Sequence, residues 1–472
     1  MRLRIRFLLI VFFVGGLIAA QENNYWNFHQ GAIASLTGGA AVANAKNQAA
    51  AYYNPGLLPF VKNNSVSLNM QSFFFNSLLI ENGAGDHIDL EQSAVGIVPS
   101  SSYGVIKNNE ESKWTLSFGI ITQAFSDYGL GAYNETQLDV ISSNPGEETY
   151  LANYNYNTRL KENWLGLATG YEINKNFGVG LTTFIVAKSI DYIQSTNASA
   201  ILVDQENDFV RTIANTSLNE NFAYRSAGLV FKLGLSYRIE NLRLGLTLSS
   251  PLINVDFIGK GNINRELFIT SDNTDESNIR QVAFQEKINT INKLPFALDL
   301  GATYQFGKTE LSARIAHYLG VGTYELIEKE EFDNSSMFNQ FSAFGVPKTA
   351  IKSVTNFGIG LAQELNAKTT LYLGFNTDNN SFDDSKLNRA TDFVPSISQW
   401  DLMNVSAGLS HYLKHFQLIY GLSYISGRST GDSQIINISD PLEENFLLGE
   451  LTSNTKTSIN QLNLNIGFVY YF

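Results

Sequence analysis

Gln461-Leu462-Asn463-Leu464-Asn465-Ile466-Gly467-Phe468-Val469-Tyr470-Tyr471-Phe472 closes the chain. Leu462, Leu464, Ile466, Phe468, Tyr470 and Phe472 share one parity; Asn463, Asn465, Gly467, Val469 and Tyr471 share the other. Successive side chains of a strand point to opposite faces, so this is a strand with one apolar face. The second face is small and polar. The same period of two recurs upstream: Leu242, Leu244, Leu246 and Leu248 against Arg243, Gly245, Thr247 and Ser249; Phe296, Leu298, Leu300, Ala302 and Tyr304 against Ala297, Asp299, Gly301, Thr303 and Gln305. Leu229, Phe231, Leu233, Leu235 and Tyr237 form another such face, as do Leu371, Leu373 and Phe375.

Two readings satisfy this period, a secreted β-sandwich and a transmembrane β-barrel. Composition narrows the field. The chain has 472 residues, a formal charge of -12, no cysteine and only 16% Asp, Glu, Lys and Arg. The lack of cysteine excludes disulfides, thiolate metal sites and a cysteine nucleophile. The acidic balance argues against nucleic acid as a partner, because that binding runs on Lys and Arg neutralising phosphates. Arg2, Arg4 and Arg6 precede an apolar run from Phe7 to Ala20, with Ala19 and Ala20 offering a cleavage site. The run falls short of the roughly 20 residues of a bilayer span, so residues 1–20 read as a secretory signal peptide. No later stretch is long and apolar enough for a membrane helix, and only helices and closed barrels satisfy every backbone group in lipid.

Fourteen segments alternate: 64–75, 94–106, 112–125, 160–173, 177–192, 223–239, 241–257, 291–305, 308–320, 350–364, 368–377, 400–412, 415–426 and 459–472. Their links alternate too. Short ones fall at 107–111, 174–176, 240, 306–307, 365–367 and 413–414, and long ones lie between. The expected long loops are 76–93, 126–159, 193–222, 258–290, 321–349, 378–399 and 427–458. Short turns on one rim and long loops on the other are the signature of an outer-membrane barrel. The expected fold is therefore an all-β transmembrane antiparallel barrel of about fourteen strands over residues 64–472, with residues 21–63 as a small N-terminal hatch in its lumen. Tyr171, Phe177, Tyr304, Phe306, Tyr412, Phe416 and Tyr470 to Phe472 flank the short turns, as an interfacial girdle would. Trp164 and Trp400 are expected near the opposite rim.

Residues 21–63 do not alternate. Gly39-Ala40-Ala41-Val42-Ala43-Asn44-Ala45 leads to Ala49-Ala50-Ala51-Tyr52-Tyr53-Asn54-Pro55-Gly56-Leu57. Alanine favours short helices and Asn-Pro-Gly stops one. This run resembles the N-terminal motif of the FadL long-chain fatty-acid transporters and the related TodX-type aromatic-hydrocarbon channels, although Gly56-Leu57 stands where the family usually has Ala-Gly. Leu244 to Pro251, and Leu294-Pro295-Phe296 leading to Gly301, are similar to family segments as well. The resemblance implies a fourteen-stranded barrel in the outer membrane of a Gram-negative bacterium. It implies passive uptake of long-chain fatty acids or aromatic or aliphatic hydrocarbons through a gated lumen to a lateral gap in the wall. It places the hatch turn at Asn54, Pro55 and Gly56, and directs the search for the lateral opening to Gly119 in the third strand.

On the small-residue face, Lys232, Asp299 and Arg314 lie near mid-wall. A cation there can hold a carboxylate by charge-assisted hydrogen bonds. Asp299 and Arg314 are equally far from the 306–307 turn and are expected to pair, which leaves Lys232 ahead of Arg314 as a ligand-binding residue. Loop residues Ile190, Tyr192, Ile193, Ile201, Leu202, Val203, Phe257, Ile258, Ile263, Leu267 and Phe268 are candidates to collect an apolar solute or to pack the loops themselves. The expected partners are a hydrophobic small molecule, outer-membrane lipid and lipopolysaccharide, with no cofactor and a monomeric state.

Other signals are bland. His411 and His415 have i,i+4 spacing but straddle a strand turn, and His29, His87 and His317 offer lone imidazoles for a haem. The acids from Asp272 to Glu276 suit a calcium ion or a lipopolysaccharide bridge, or simply a solvated loop. No nucleophile–base pair stands out, and a non-enzyme is expected. The competing readings are a scaffold for a secretion or surface complex, a haem receptor and an outer-membrane lipase.

Overall fold

The structure, a computed structural model, describes residues 23–472 except 27, 45–48, 110, 145, 205–208, 256, 272–277, 329–345 and 389–391. Residues 1–20, read from the sequence as a signal peptide, and the acids at 272–276 lie outside the described residues.

A closed antiparallel barrel of 14 strands forms the wall. In chain order the strands are β1 (Ser65–Glu81), β2 (Leu90–Lys107), β3 (Trp114–Leu138), β4 (Glu148–Asn174), β5 (Phe177–Asp204) and β6 (Phe209–Ile239). β7 is Leu242–Ser249, continued after a break by Lys260–Ser271; β8 is Ile279–Asn289, continued by Ala297–Phe306. Then follow β9 (Thr309–Tyr318), β10 (Val354–Asn366), β11 (Thr369–Asp378), β12 (Leu402–Leu413), β13 (Phe416–Asp432) and β14 (Thr455–Tyr471). β14 closes the barrel on β1, from Ser65↔Tyr471 to Glu81↔Lys456.

The outward face changes polarity at one height. On β14, Leu462 and Phe468 are exposed, whereas Asn463, Asn465, Gly467 and Val469 point inward. Above Leu462 the outward positions become Asn460, Ser458 and Lys456. Across the seams Asn460 pairs with Ser77 and Ser426, and Leu462 pairs with Phe75 and Tyr424. The switch therefore runs in register around three neighbouring strands, as the upper limit of a lipid-facing band requires. At the lower limit, Trp114 and Tyr171 lie 4.7 Å apart, Tyr304 and Phe306 5.9 Å, and Phe416 and Tyr470 5.0 Å. These rings, exposed but for the half-buried Tyr171, form the girdle at the short-turn rim.

The first half of the barrel departs from expectation. The segments 76–93, 126–159, 193–222 and 258–290, read as loops, are largely strand; β3 to β6 pair far above the band, with Tyr154↔Thr196 and Asn197↔Ser217 in register. The physical reason lies in β4. Its outward residues are Leu165 and Leu167 within the band but Asn153, Asn155, Asn157 and Arg159 above it, while Tyr150, Tyr154 and Tyr156 point inward. The period of two persists, but the apolar face moves from outside to inside once the strand leaves lipid. A search for outward grease misses it. Trp164 and Trp400 are likewise inside the barrel and buried, not at the outer interface. Of the expected loop residues, Ile190, Tyr192 and Ile263 join an inner hydrophobic core, whereas Ile193, Val203, Phe257, Ile258 and Phe268 stay exposed.

Inside the barrel sits the segment before β1, with two short helices, α1 (Ala32–Leu36) and α2 (Ala50–Tyr53), and a 3-10 turn over Pro55–Phe60. Ala34, Leu36, Val42, Ala49 and Leu57 are fully enclosed. The wall meets this segment with glycine. A Cβ at Gly180 would collide with Pro55, one at Gly234 with Asn54, one at Gly245 with Val42 and one at Gly408 with Leu36. These strand glycines let two backbones approach across the lumen, which explains the small residues on the inward face.

Candidate functional site

Above the N-terminal segment the lumen holds two contiguous cavities. The inner one is lined by Tyr25, Tyr52, Trp164, Val230, Lys232, Leu294 and Asp299 among others. The outer one shares Tyr25, Gln123, Glu162 and Leu294 with it and adds Lys188, Lys293 and Lys348. Over both lies a packed core in which Tyr150, Tyr156, Tyr192, Phe222, Phe393 and Trp400 are buried. Asp378, Ser381 and Ser396, described on either side of residues 389–391, reach onto the N-terminal segment. Asn23 Nδ2 donates to Ser396 Oγ at 2.7 Å, Ser381 N donates to Asn23 O at 3.0 Å, and Trp26 N donates to Asp378 Oδ2 at 3.0 Å.

The floor of the inner cavity is α2. A helix end leaves carbonyls without intrahelical partners, and here the wall supplies them. Thr182 Oγ1 of β5 donates to Ala51 O at 2.7 Å, Lys232 Nζ of β6 to Tyr52 O at 3.1 Å, and Thr247 Oγ1 of β7 to Tyr53 O at 2.8 Å. Lys232 is only 6% exposed and its ammonium sits 3.8 Å from the centre of the Tyr52 ring, with Trp164 and Phe184 close by. No carboxylate lies within ion-pair distance of it among the described residues. A buried ammonium held by one carbonyl and an aromatic face keeps donors to spare.

Arg314 is differently placed. It donates through Nε to Asp299 Oδ1 at 2.7 Å, and its guanidinium lies 4.0 Å from the Trp26 ring and 5.1 Å from the Tyr53 ring. The pair is buried on adjacent strands β8 and β9. Arg314 thus holds Asp299 and two rings of the N-terminal segment, and it does not line the inner cavity.

Asn54, Pro55 and Gly56 tie the segment to the wall. The Asn54 side chain is fully buried; its Oδ1 accepts from Gly56 N at 2.9 Å, and its Nδ2 donates to Val42 O at 2.8 Å and Leu235 O at 2.9 Å. Pro55 opens the 3-10 turn, and Gly56 passes against the Gly234 carbonyl where a Cβ has no room. Asn54→Ala is expected to cost about 1–3 kcal/mol by leaving these buried groups unpaired. Hydrogen exchange should then rise over residues 49–60 while the barrel amides stay protected.

Gly119 faces inward within the paired part of the β2–β3 seam, opposite Tyr103. Pairing runs from Lys107↔Thr115 only to Ser101↔Ile121, although β3 continues to Leu138 along β4. Beyond Ile121 the two strands separate, and the described contacts across the seam are Gln92 Nε2 to Asp127 O at 3.1 Å and Gly129 N to Gln92 Oε1 at 3.0 Å.

The histidines do not converge. His29 is enclosed in the N-terminal segment with Nε2 at 2.9 Å from Asn376 Oδ1, and burial pushes its imidazole down to about 4, so it is neutral at pH 7. His317 bonds Thr355, and His411 bonds Thr369 and Tyr420 on the barrel's outside. Among the described residues no His, Asp or Glu cluster suits a metal ion.

The aromatic lining is what sequence reading missed. Tyr25 stacks on Tyr318 at 4.1 Å, and Trp164 packs on Phe184 at 5.2 Å. Tyr25 and Tyr52 come from a segment without periodicity, so nothing local signalled that they share a cavity with a strand residue such as Trp164. The only available clue was parity, since Trp164 falls on the Gly166 and Ala168 side of β4.

No protein-family model matches the sequence, and no curated protein matches it. The fold does have solved counterparts. A FadL homologue of Pseudomonas aeruginosa aligns with a TM-score of 0.60 at 10% identity, over 97% of this chain and all (100%) of that one. The toluene transporter TodX of Pseudomonas putida aligns with a TM-score of 0.55 at 14% identity, over 97% and 100%. The toluene transporter TbuX of Ralstonia pickettii aligns with a TM-score of 0.54 at 14% identity, over 94% and 98%. At these identities the likeness is one of fold: this chain has the barrel architecture of those proteins.

Proposed function

We propose that this chain, with the barrel fold of FadL- and TodX-type proteins, is an outer-membrane channel that takes up hydrophobic small molecules, long-chain fatty acids or hydrocarbons, by passive diffusion. One observation carries the reading: a barrel with a lipid-facing apolar exterior contains an aromatic-lined cavity beside a lumen filled by its own N-terminal segment. Water offers an apolar solute no favourable path, whereas each methylene gains about 0.8 kcal/mol on entering such a pocket. In this reading residues 1–20 direct export and are removed, residues 21–63 act as the hatch, and residues 64–472 form the barrel. The protein is a monomer surrounded by lipid and lipopolysaccharide.

Lys232 links the cavity to the hatch. Its ammonium holds the Tyr52 carbonyl, so a ligand carboxylate that bonds Lys232 competes with the contact that fixes α2. Ligand then shifts the hatch by its differential affinity for the two hatch positions. The β2–β3 seam beyond Ile121 is the place in this reading where an apolar ligand leaves sideways.

Purified protein in proteoliposomes should accelerate uptake of labelled palmitate or toluene over protein-free vesicles. Equal rates would remove the proposal; copurifying chains without uptake would point to a scaffold. Lys232→Met separates the ligand classes. Palmitate affinity is expected to fall roughly tenfold to a hundredfold, the worth of one charge-assisted hydrogen bond of about 1.5–3 kcal/mol. Toluene affinity, measured by the same thermal-shift titration, is expected to stay unchanged.

A further inference from the structure

β7 and β8 pair from Leu242↔Tyr304 to Ser249↔Ala297, and again from Lys260↔Asn289 to Ile269↔Ile279. Between those ladders the wall has a window, with residues 250–255 and 257–259 on one side and 290–296 on the other. Pro251 and Pro295 stand in it, where each lacks the N–H that a ladder needs. Residues 253–254 stay attached to β6 through Gly228↔Asn254 and Leu229↔Ile253. Thr290 Oγ1 closes the top of the window by donating to Arg225 O at 2.7 Å.

What seals the window is slight. Asn254 Nδ2 donates to Asn292 O at 2.9 Å, Asn292 N donates to Asn254 Oδ1 at 3.2 Å, and Leu252 N donates to Leu294 O at 3.3 Å. The Asn292 side chain is buried, yet its Nδ2 has no partner among the described residues. Such a group costs free energy in the closed state and regains a partner when water or a polar atom reaches it.

The window leads somewhere on both sides. Inward, Ser249, Ser250, Leu294 and Pro295 line the cavity that holds Lys232. Outward, Phe257 is 83% exposed and Ile253 and Ile258 are exposed beside it. Its height is set by β6, whose outward residues run Leu233, Phe231, Leu229 and then, past Ala227, the exposed Arg225 paired with Asp191. The window therefore opens at the upper limit of the lipid-facing band. The axial mouth above the cavities, by contrast, is filled by the aromatic core.

We propose that the β7–β8 window is a portal through which an apolar ligand dissolved at the outer boundary of the bilayer passes between Leu252–Asn254 and Asn292–Leu294 into the Lys232 cavity. The proposal rests on the transport reading for its purpose and on the wall geometry for its place. Apolar solutes concentrate in the bilayer, so a side entrance spares them a return to water.

The chain has no cysteine, so introduced thiols report cleanly. Ser249→Cys in proteoliposomes should be labelled by N-dodecylmaleimide dissolved in the bilayer. Ser406→Cys, equally buried on the inward face of β12, should not be. In Asn254→Cys/Asn292→Cys, oxidation should abolish toluene uptake and dithiothreitol should restore it. Equal labelling of the two single variants, or uptake by the oxidised pair at the reduced rate, would overturn the portal. Labelling confined to Ser249→Cys in a protein that transports neither toluene nor palmitate would overturn the transport reading and leave the portal standing.

Discussion

Deleting residues 21–63 raises ion conductance in planar bilayers by about an order of magnitude or more, toward that of a water-filled barrel. The expectation follows from what the segment touches. Its enclosed residues fill the lumen from the Gly408 side to the Gly180 side. Removing them exposes an inner face of Gly, Ser, Thr and Asn, which water wets readily. The outer core does not reseal the barrel, because Asp378 and Ser396 rest on Asn23, Asn24 and Trp26. The barrel itself closes through β1 and β14 without the segment, so it should still insert and resist detergent unfolding in the cold. An intact, inserted deletion variant with wild-type conductance would show that the segment is not the barrier.

Arg314→Leu is the point substitution with the largest expected cost. It strands Asp299 in a buried site, and an uncompensated buried charge costs about 3–5 kcal/mol. It also removes the guanidinium that packs on Trp26 and Tyr53, so the loss spreads from the wall to the segment in the lumen. The double variant Arg314→Leu/Asp299→Leu should recover most of the stability, since replacing both members of a buried pair with apolar residues is often neutral or better. Urea unfolding of detergent-refolded protein, read by tryptophan fluorescence, measures both. A single variant as stable as the double would mean that Asp299 finds water or protonates at little cost.

The strand period was legible because lipid enforces it. Leu462 to Tyr470 on one face and Asn463 to Val469 on the other admit one strand orientation, and fourteen such segments with alternating short and long links admit one topology. The pairing of Arg314 with Asp299 was legible for a related reason: equal distance from one hairpin turn fixes their heights on adjacent strands. Where lipid ends, that constraint ends. The upper halves of β3 to β6 keep the period but turn aromatic residues inward, and the outward-grease criterion took them for loops.

By itself, then, the sequence determined the barrel, its strand order, its lower girdle and the mid-wall charges, because each depends on neighbours along one strand or across one turn. Only the tertiary structure decided what occupies the lumen. Lys232 meets the Tyr52 carbonyl, Asn54 meets Leu235, and Gly234 makes room for Asn54 and Pro55, over separations of some 180 residues. Those contacts form only after the wall has closed around the segment, and no periodicity in the chain encodes a meeting that closure creates.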